Sequence, residues 1–379
     1  MSSSTNHPST NSRGGPPIGA RRSHRLHLNG VVLPSGDRRD LWIVDGRIRT
    51  GPVQNAETLA TNVWLIPGLV DAHCHVGLEV GGAVPDEVAE QHALADRAAG
   101  ALLLRDAGSP ADTRWMDSRA DLPKIIRAGR HIARPKRYLR HYGAEVEPAD
   151  LVAEVERQAA RSDGWIKLVG DWIDRDIGDL APLWPVDVAR SAIDRAHQLG
   201  CRVTAHVFGE QALTELVTAG IDGIEHGTGM DDVTIGLMAE RQVALVPTMV
   251  QLDNFEDYAR SGEDKFPAYA KHIRALYASR LERFTAAREA GVPIYAGTDA
   301  GGYLPHGLVS QEIAALAQFS SADYALGAGS WRARRWLGRP DTLDDGVPAD
   351  LVVFDADPRV DLGVLRAPRH VILRGSVVR

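Results

Sequence analysis

From Leu65 onward, apolar runs of strand length alternate with segments of helical composition, the order that parallel βα units require. The runs are Leu65–His75, Ala101–Asp106, Lys124–Ile132, Trp165–Val169, Arg202–Val207, Gly223–His226, Ala244–Thr248 and Pro293–Thr298. Between them, Asp86–Ala99, Pro148–Arg161, Val186–Leu199 and Ala268–Ala290 have the composition of helices. Eight strands are the number that closes a (β/α)8 barrel. An open, doubly wound sheet shows the same alternation, so the pattern alone leaves both. The stretch between the third and fourth strands, which holds Pro135, Tyr138 and Tyr142, reads as a loop.

The two ends of the chain have a different pattern. Leu26–Leu33, a turn near Pro34-Ser-Gly36, Leu41–Val44, a hairpin signal at Asp45-Gly46 and Arg47–Arg49 read as short strands. Ala349–Phe354 and Val371–Val378 have the same character, so the two ends are expected to share a sheet. The expected architecture is therefore an α/β fold, a (β/α)8 TIM barrel over residues 65–344. A small β-sandwich domain, formed by the N- and C-terminal segments 23–64 and 345–379, accompanies it. At 379 residues the chain exceeds the roughly 250–300 that one core organises, which agrees with a large and a small unit.

Composition removes whole classes of function. A hydrophobic fraction of 44%, a charged fraction of 25% and a net charge of -7 are those of a globular protein without a basic face for nucleic acid. No apolar run approaches the roughly 20 residues that cross a bilayer, Ala101–Leu104 being typical of the longest. Residues 1–22, rich in Ser, Asn, Pro and Gly, have no apolar stretch that could form a signal-peptide core and read as a disordered tail. Only Cys74 and Cys201 are present, too few for a disulfide framework, which fits a reducing, cytoplasmic setting.

Candidate chemistry begins at His73-Cys74-His75. In a strand His73 and His75 share a face and Cys74 takes the other, so two imidazoles can meet one ion. With 14 histidines in the chain, about half an H-x-H is expected by chance, so the triplet carries little alone. Later strands end on further ligand types: His206 in Thr-Ala-His-Val, His226 in Ile-Glu-His-Gly and Asp299 in Gly-Thr-Asp-Ala. In a closed barrel these ends converge on one mouth, whereas in an open sheet they spread along a line. Lys167 lies in the apolar run Trp-Ile-Lys-Leu-Val, where an unpaired ammonium is costly to bury. It is either a lysine reaching solvent from a strand end or an amine that adds carbon dioxide and bridges two cations as a carbamate.

Leu65-Ile-Pro-Gly-Leu-Val-Asp-Ala-His-Cys-His75 resembles the first-strand signature of the amidohydrolase superfamily. Lys167, His206, Ile224-Glu-His-Gly227, Gly297-Thr-Asp-Ala300 and Pro305-His-Gly307 follow in the order of its imidazolonepropionase-like and prolidase-like branch. The resemblance extends to Ala349–Val353 and Val371–Gly375 and covers nearly the whole chain after the tail. It implies one or two divalent metal ions, zinc by preference. His73, His75 and Asp299 would hold the first, His206 and His226 the second, and an N6-carboxylated Lys167 would bridge them. The implied activity is hydrolysis of a small-molecule amide, in a dipeptide, an N-acyl amino acid or a cyclic amide.

In that reading Asp299 is the catalytic group, passing a proton from the attacking water to the leaving nitrogen. His306, Tyr142 and Tyr303 are substrate candidates on mouth loops, and His141 is a weaker one. Glu225, one residue before a ligand, is expected to face away and to serve the structure. Cys74 is expected to pack between strand and helix. Glu210 is expected in the first turn of the following helix, where a negative charge suits the dipole. Its spacing from His206 departs from a deaminase arrangement. Hydrolysis of esters, lactones or phosphoesters at the same centre, and a non-catalytic binding barrel, are the competing readings. No nucleic-acid or membrane partner is implied, and a homo-oligomer is compatible with the sequence.

Overall fold

Leu26, Leu28 and Val32 alternate with more exposed neighbours, and the strand they form, Leu26–Val32, buries them on one face. The computed structural model of the protein describes residues 25–379; the tail expected over residues 1–22 lies outside the described residues. Asp45 and Gly46, with φ of 50° and 77°, join Asp37–Val44 to Arg47–Arg49 in a two-residue turn whose left-handed backbone matches the twist of a hairpin. Both chain ends enter one seven-stranded sheet. Its spatial order is Ser376–Val377, His370–Leu373, Leu351–Phe354, Glu57–Pro67, Leu26–Val32, Asp37–Val44 and Arg47–Arg49. The sheet curls until its last edge returns near its middle: the Ile48 amide donates to Val347 O at 2.9 Å and the Ala349 amide to Gly46 O at 2.9 Å. The two layers of the expected sandwich are thus two parts of one curled sheet.

Alternation gives this sheet two jobs. Leu351, Val353 and Ile372 face a core of its own, together with Leu28, Ile43 and Leu65. Val352, Phe354, Val371 and Leu373 face the other way and join the main core of strands and helices.

The main core surrounds a closed parallel barrel. Leu69–Glu79 pairs with Ala101–Asp106, which pairs with Lys124–Arg127. Ile132 continues to Trp165–Val169, and Arg202–Val207, Gly223–His226 and Ala244–Val246 follow in parallel. Residues 293–299 do not form a regular strand, yet they close the ring by bonding on both sides. Tyr295 N donates to Leu245 O at 3.0 Å, Ala72 N to Ala296 O at 2.8 Å and Asp299 N to His73 O at 2.7 Å. Closure excludes the open sheet. Leu65–His75, read as one strand, is two: Glu57–Pro67 belongs to the curled sheet and Leu69–Glu79 to the barrel, with Gly68 at the change of direction.

The mouth at the C-terminal ends of the strands is roofed by elements that the hydrophobic pattern does not announce. They are a hairpin of Asp171–Asp174 and Asp179–Pro182, the helix Phe255–Gly262, the start of the helix Pro267–Glu289 and the segment 138–142. Among the described residues no helix is long and apolar enough to cross a membrane.

Candidate active site

His73 and His75 leave the same face of their strand, as alternation requires, and residues 293–299 bring Asp299 alongside. His73 Nε2 lies 3.2 Å from His75 Nε2, and Asp299 Oδ1 lies 3.0 Å from each. Three donors about 3 Å apart suit a divalent cation, which holds nitrogen and carboxylate oxygen at about 2.0–2.2 Å. Asp71 clamps the trio from below: its carboxylate accepts from His73 N at 3.1 Å, Thr298 N at 3.0 Å and Thr298 Oγ1 at 2.6 Å. Gly297 is required by close approach, since a Cβ there would come within 2.7 Å of the His73 backbone and Cβ.

The far nitrogens of the rings are also held. His75 Nδ1 donates to Gly108 O at 2.7 Å, and His73 Nδ1 lies 2.8 Å from Glu225 Oε2. A carbonyl only accepts, so His75 carries its proton on Nδ1 and turns its Nε2 lone pair inward, and the Glu225 carboxylate beside His73 Nδ1 favours a proton there too. This is the supporting arrangement typical of metal-binding histidines. The residues present therefore fit the cation that the resemblance implies.

A second pair of donors lies beside the trio. His226 Nε2 is 2.9 Å from His206 Nδ1, and the His226 and His73 ring centres are 5.4 Å apart. His226 Nδ1 is held by Thr248 Oγ1 at 2.7 Å, whereas His206 Nε2 is buried without a partner. Lys167 Nζ is 3.5 Å from His73 Nε2, so the six residues read as ligands meet at one mouth. His226, Thr248 and Asp299 have φ of 66°, 48° and 60°, a left-handed backbone unusual for these residue types. Three such residues at the ends of successive barrel segments mark strain concentrated at one site.

Electrostatics follow from burial and from these neighbours. Burial draws the Lys167 amine down to about 8 despite the attraction of Glu225 and Asp299. Burial would raise the Asp299 carboxyl, but His73 and His75 hold it well below the ordinary range. Burial lowers His226 to about 3 and His206 well below the ordinary imidazole value. His73 is raised, because Asp299 and Glu225 outweigh burial and Lys167.

Glu225 corrects the alternation argument. It does not face away: the positive φ of His226 swings the histidine toward the mouth and leaves Glu225 inside the barrel, beneath His73. Its Oε1 accepts from Arg105 Nη2 at 2.7 Å and from Thr204 Oγ1. The Arg105 guanidinium is sandwiched between Trp165 and Trp336, 4.7 and 5.0 Å from their ring centres, and its Nε donates to Ala72 O at 2.6 Å.

The remaining candidates separate. Tyr142 lines the cavity above the trio and its hydroxyl is buried without a partner; Tyr303 stands exposed at the rim. His306 is not in that cavity. Its Nδ1 bonds Asp96 at 2.8 Å and its ring stacks on His92, in a neighbouring cavity that shares the Gly301–Tyr303 segment. His141 does not line the cavity either; its carbonyl accepts from Arg130. Cys74 packs as expected, and burial pushes its thiol up. Glu210 opens the helix Glu210–Ala219 as expected and turns to His272 Nε2 at 3.0 Å, outside the cavity.

His131 was missed. Its Nδ1 lies 3.2 Å from the same Gly108 carbonyl that holds His75, and its Nε2 is buried without a partner beside Tyr138 and Tyr142. The available signal was its position just past the third barrel strand, in Gly129-Arg-His131.

A family model described as "Amidohydrolase family" matches residues 64–378. An uncharacterized protein of Mycobacterium tuberculosis is 57% identical over 93% of this chain and 96% of its own length. A crystal structure of a Xaa-Pro dipeptidase with methionine in its active site superposes with a TM-score of 0.78 and 22% identity, over 94% of this chain and 100% of that one. The crystal structure of Aspergillus niger ochratoxinase does so with a TM-score of 0.76 and 18% identity, over 94% and 95%. At these identities the two structures speak for the fold.

Proposed function

The chain belongs to the amidohydrolase family, and from that premise we propose that it is a metal-dependent hydrolase of amide carbon–nitrogen bonds in small molecules. The observation that carries the reading is the trio His73, His75 and Asp299, with 3.0–3.2 Å between its donor atoms, two of whose members, His75 and Asp299, line the floor of a cavity. In this reading the trio holds one divalent ion, zinc by donor type, and His206 and His226 are ligands for a second.

Bound there, such ions would make water a nucleophile near neutral pH and polarise the carbonyl under attack. Lys167 is the bridging candidate. Among the described residues no carboxylate lies within ion-pair distance of its amine, and a pKa near 8 leaves part of it uncharged at neutral pH. The free amine can add carbon dioxide, forming an N–C bond and releasing a proton. Asp299 is ionised throughout the working range, and it is the member of the trio most open to the cavity, its side chain 16% exposed against 1% for His73. Its carboxylate accepts the proton of the attacking water and delivers it to the leaving nitrogen, so no net proton is consumed in that exchange.

Glu210, committed to His272, gives no support to a deaminase. The same proposal covers the division into a barrel over 65–344 and a small unit of 23–64 with 345–379. It also covers a cytoplasmic setting, in keeping with two free thiols, and no nucleic-acid or membrane partner. The test combines metal analysis with activity. Purified protein should hold at least one divalent ion per chain, and Asp299→Asn should lower kcat by roughly 10²–10⁴-fold. Metal-free protein with full activity, or an active Asp299→Asn, would end the reading.

A further inference from the structure

The cavity above the trio has a volume of about 320 Å³, within the range that small ligands occupy. Its walls are aromatic: Tyr138, Trp172, Phe208, Tyr258, Phe266 and Tyr269. Charge is confined to its two ends. His75, His206 and Asp299 form the floor, and Lys265 stands exposed at the rim beside the Phe266 ring. Among the described residues no arginine lines it. Arg137 is committed to Asp174 and to the Trp172 and Ala181 carbonyls, and Arg130 to the Tyr142 and His141 carbonyls; Arg140 and Arg175, on the roofing segments, are exposed and do not line the cavity. Between floor and rim the Tyr142 hydroxyl is a buried polar group without a partner, and Gln251 is occupied with the Tyr258 hydroxyl.

These walls discriminate by desolvation. A zwitterionic dipeptide carries a carboxylate close to its scissile bond, and the aromatic section, whose unpartnered polar group is the Tyr142 hydroxyl, offers no cation to pair with it. An unpaired buried charge is the costliest thing a ligand can bring into such a space. An aromatic ring loses only water there and gains offset or edge contacts with the wall.

Taking amide hydrolysis at the trio as the reading it rests on, we propose that the substrate class is the neutral aromatic amide. The part held between floor and rim carries a bulky ring system and no charge, and an anionic group is accommodated only at the far end, beside Lys265. Trp172, on the roofing hairpin, is the residue that selects for the ring; it touches none of the trio, and its ring centre lies 5.5 Å from that of His206.

The experiment compares metal-loaded wild type, Trp172→Ala and the milder Trp172→Leu on 2-naphthoyl anilide, acetanilide and the dipeptide Phe-Pro. The naphthoyl anilide should exceed the dipeptide in kcat/KM by at least about 100-fold, the scale on which unpaired polar groups discriminate between ligands. Each Trp172 variant should raise KM for the naphthoyl anilide at least tenfold relative to acetanilide, with kcat little changed. A dipeptide preference, or equal losses on both anilides, overturns the proposal. Calorimetric titration of the metal-free protein with 2-naphthylacetamide separates the two levels of inference. Binding that Trp172→Ala abolishes, without hydrolysis of any amide, leaves the ligand class standing and removes the hydrolase. Hydrolysis without aromatic preference removes the substrate class alone, and neither binding nor hydrolysis removes both.

Discussion

At the scale of single residues, the orientation of His73 depends on a charge it does not itself carry. Glu225 receives Arg105 on one oxygen and faces His73 Nδ1 with the other, and all three side chains are at most 1% exposed. Replacing Glu225 by Gln removes the buried charge that faces Arg105 and leaves one acceptor oxygen where Arg105 and His73 Nδ1 now face two. Loss of one partner of a buried pair costs about 3–5 kcal/mol, and loss of a group supporting a metal ligand about 10–100-fold in metal affinity. Glu225→Gln should therefore lower the melting temperature, and the folded fraction should bind zinc at least tenfold more weakly in a competitive chelator titration. Unchanged zinc affinity would show that Glu225 supports packing alone. Gly297→Ala should weaken metal binding by a different route, pushing on His73 through its backbone.

At the scale of elements, His272 on the helix Pro267–Glu289 ties the roof to the barrel. It lies 2.9 Å from Asp179 on the roofing hairpin and 3.0 Å from Glu210 on the helix after the fifth barrel strand. These carboxylates raise its pKa to about 9 from the ordinary 6.5. A pKa raised by folding means stability that is fully present below about pH 6.5 and lost as pH climbs through about 9. The melting temperature of the wild type should fall across that window more than that of His272→Gln, and parallel curves would refute the assignment.

Element by element, what could be read from the chain tracks how local its cause is. Ala101–Asp106, Trp165–Val169, Arg202–Val207 and Gly223–His226 are strands at the residues expected, because continuous apolar runs bounded by turns have few alternatives. Residues 293–299 bond as a barrel segment without regular strand geometry, because Asp299 departs into a left-handed conformation that no propensity signals. The hairpin over Asp171–Pro182 was invisible: its strands are short and rich in Asp, and only the cavity beneath them gives Trp172 and Ile173 something to cover.

At the scale of the whole molecule, the curled sheet and the barrel share a core. Phe354 is fully buried and packs in the main cluster although it belongs to a strand near the C-terminus. Phe354→Ala should cost about 3–5 kcal/mol, visible as a lower urea midpoint, and the loss should reach the distant active site as reduced metal retention. Metal occupancy should act in return. Ion at 100 times its dissociation constant contributes about 2.7 kcal/mol to the folded state. Chelation should then lower the melting temperature by roughly 3–4 °C, a shift that His73→Ala would not show.

The sequence by itself determined the alternation of strands and helices, the shared sheet of the two ends and the places of His73, His75, Lys167, His206, His226 and Asp299 on barrel segments, because side-chain period is a property of short segments. Tertiary structure decided the rest. It turned Glu225 under His73, brought His131 to the Gly108 carbonyl, carried His306 to Asp96 instead of the cavity and lined that cavity with rings from four separate stretches of chain. Each of these depends on which backbone passes within a few ångströms of which other. That is settled only when the barrel closes and the left-handed residues at its mouth redirect the side chains they carry.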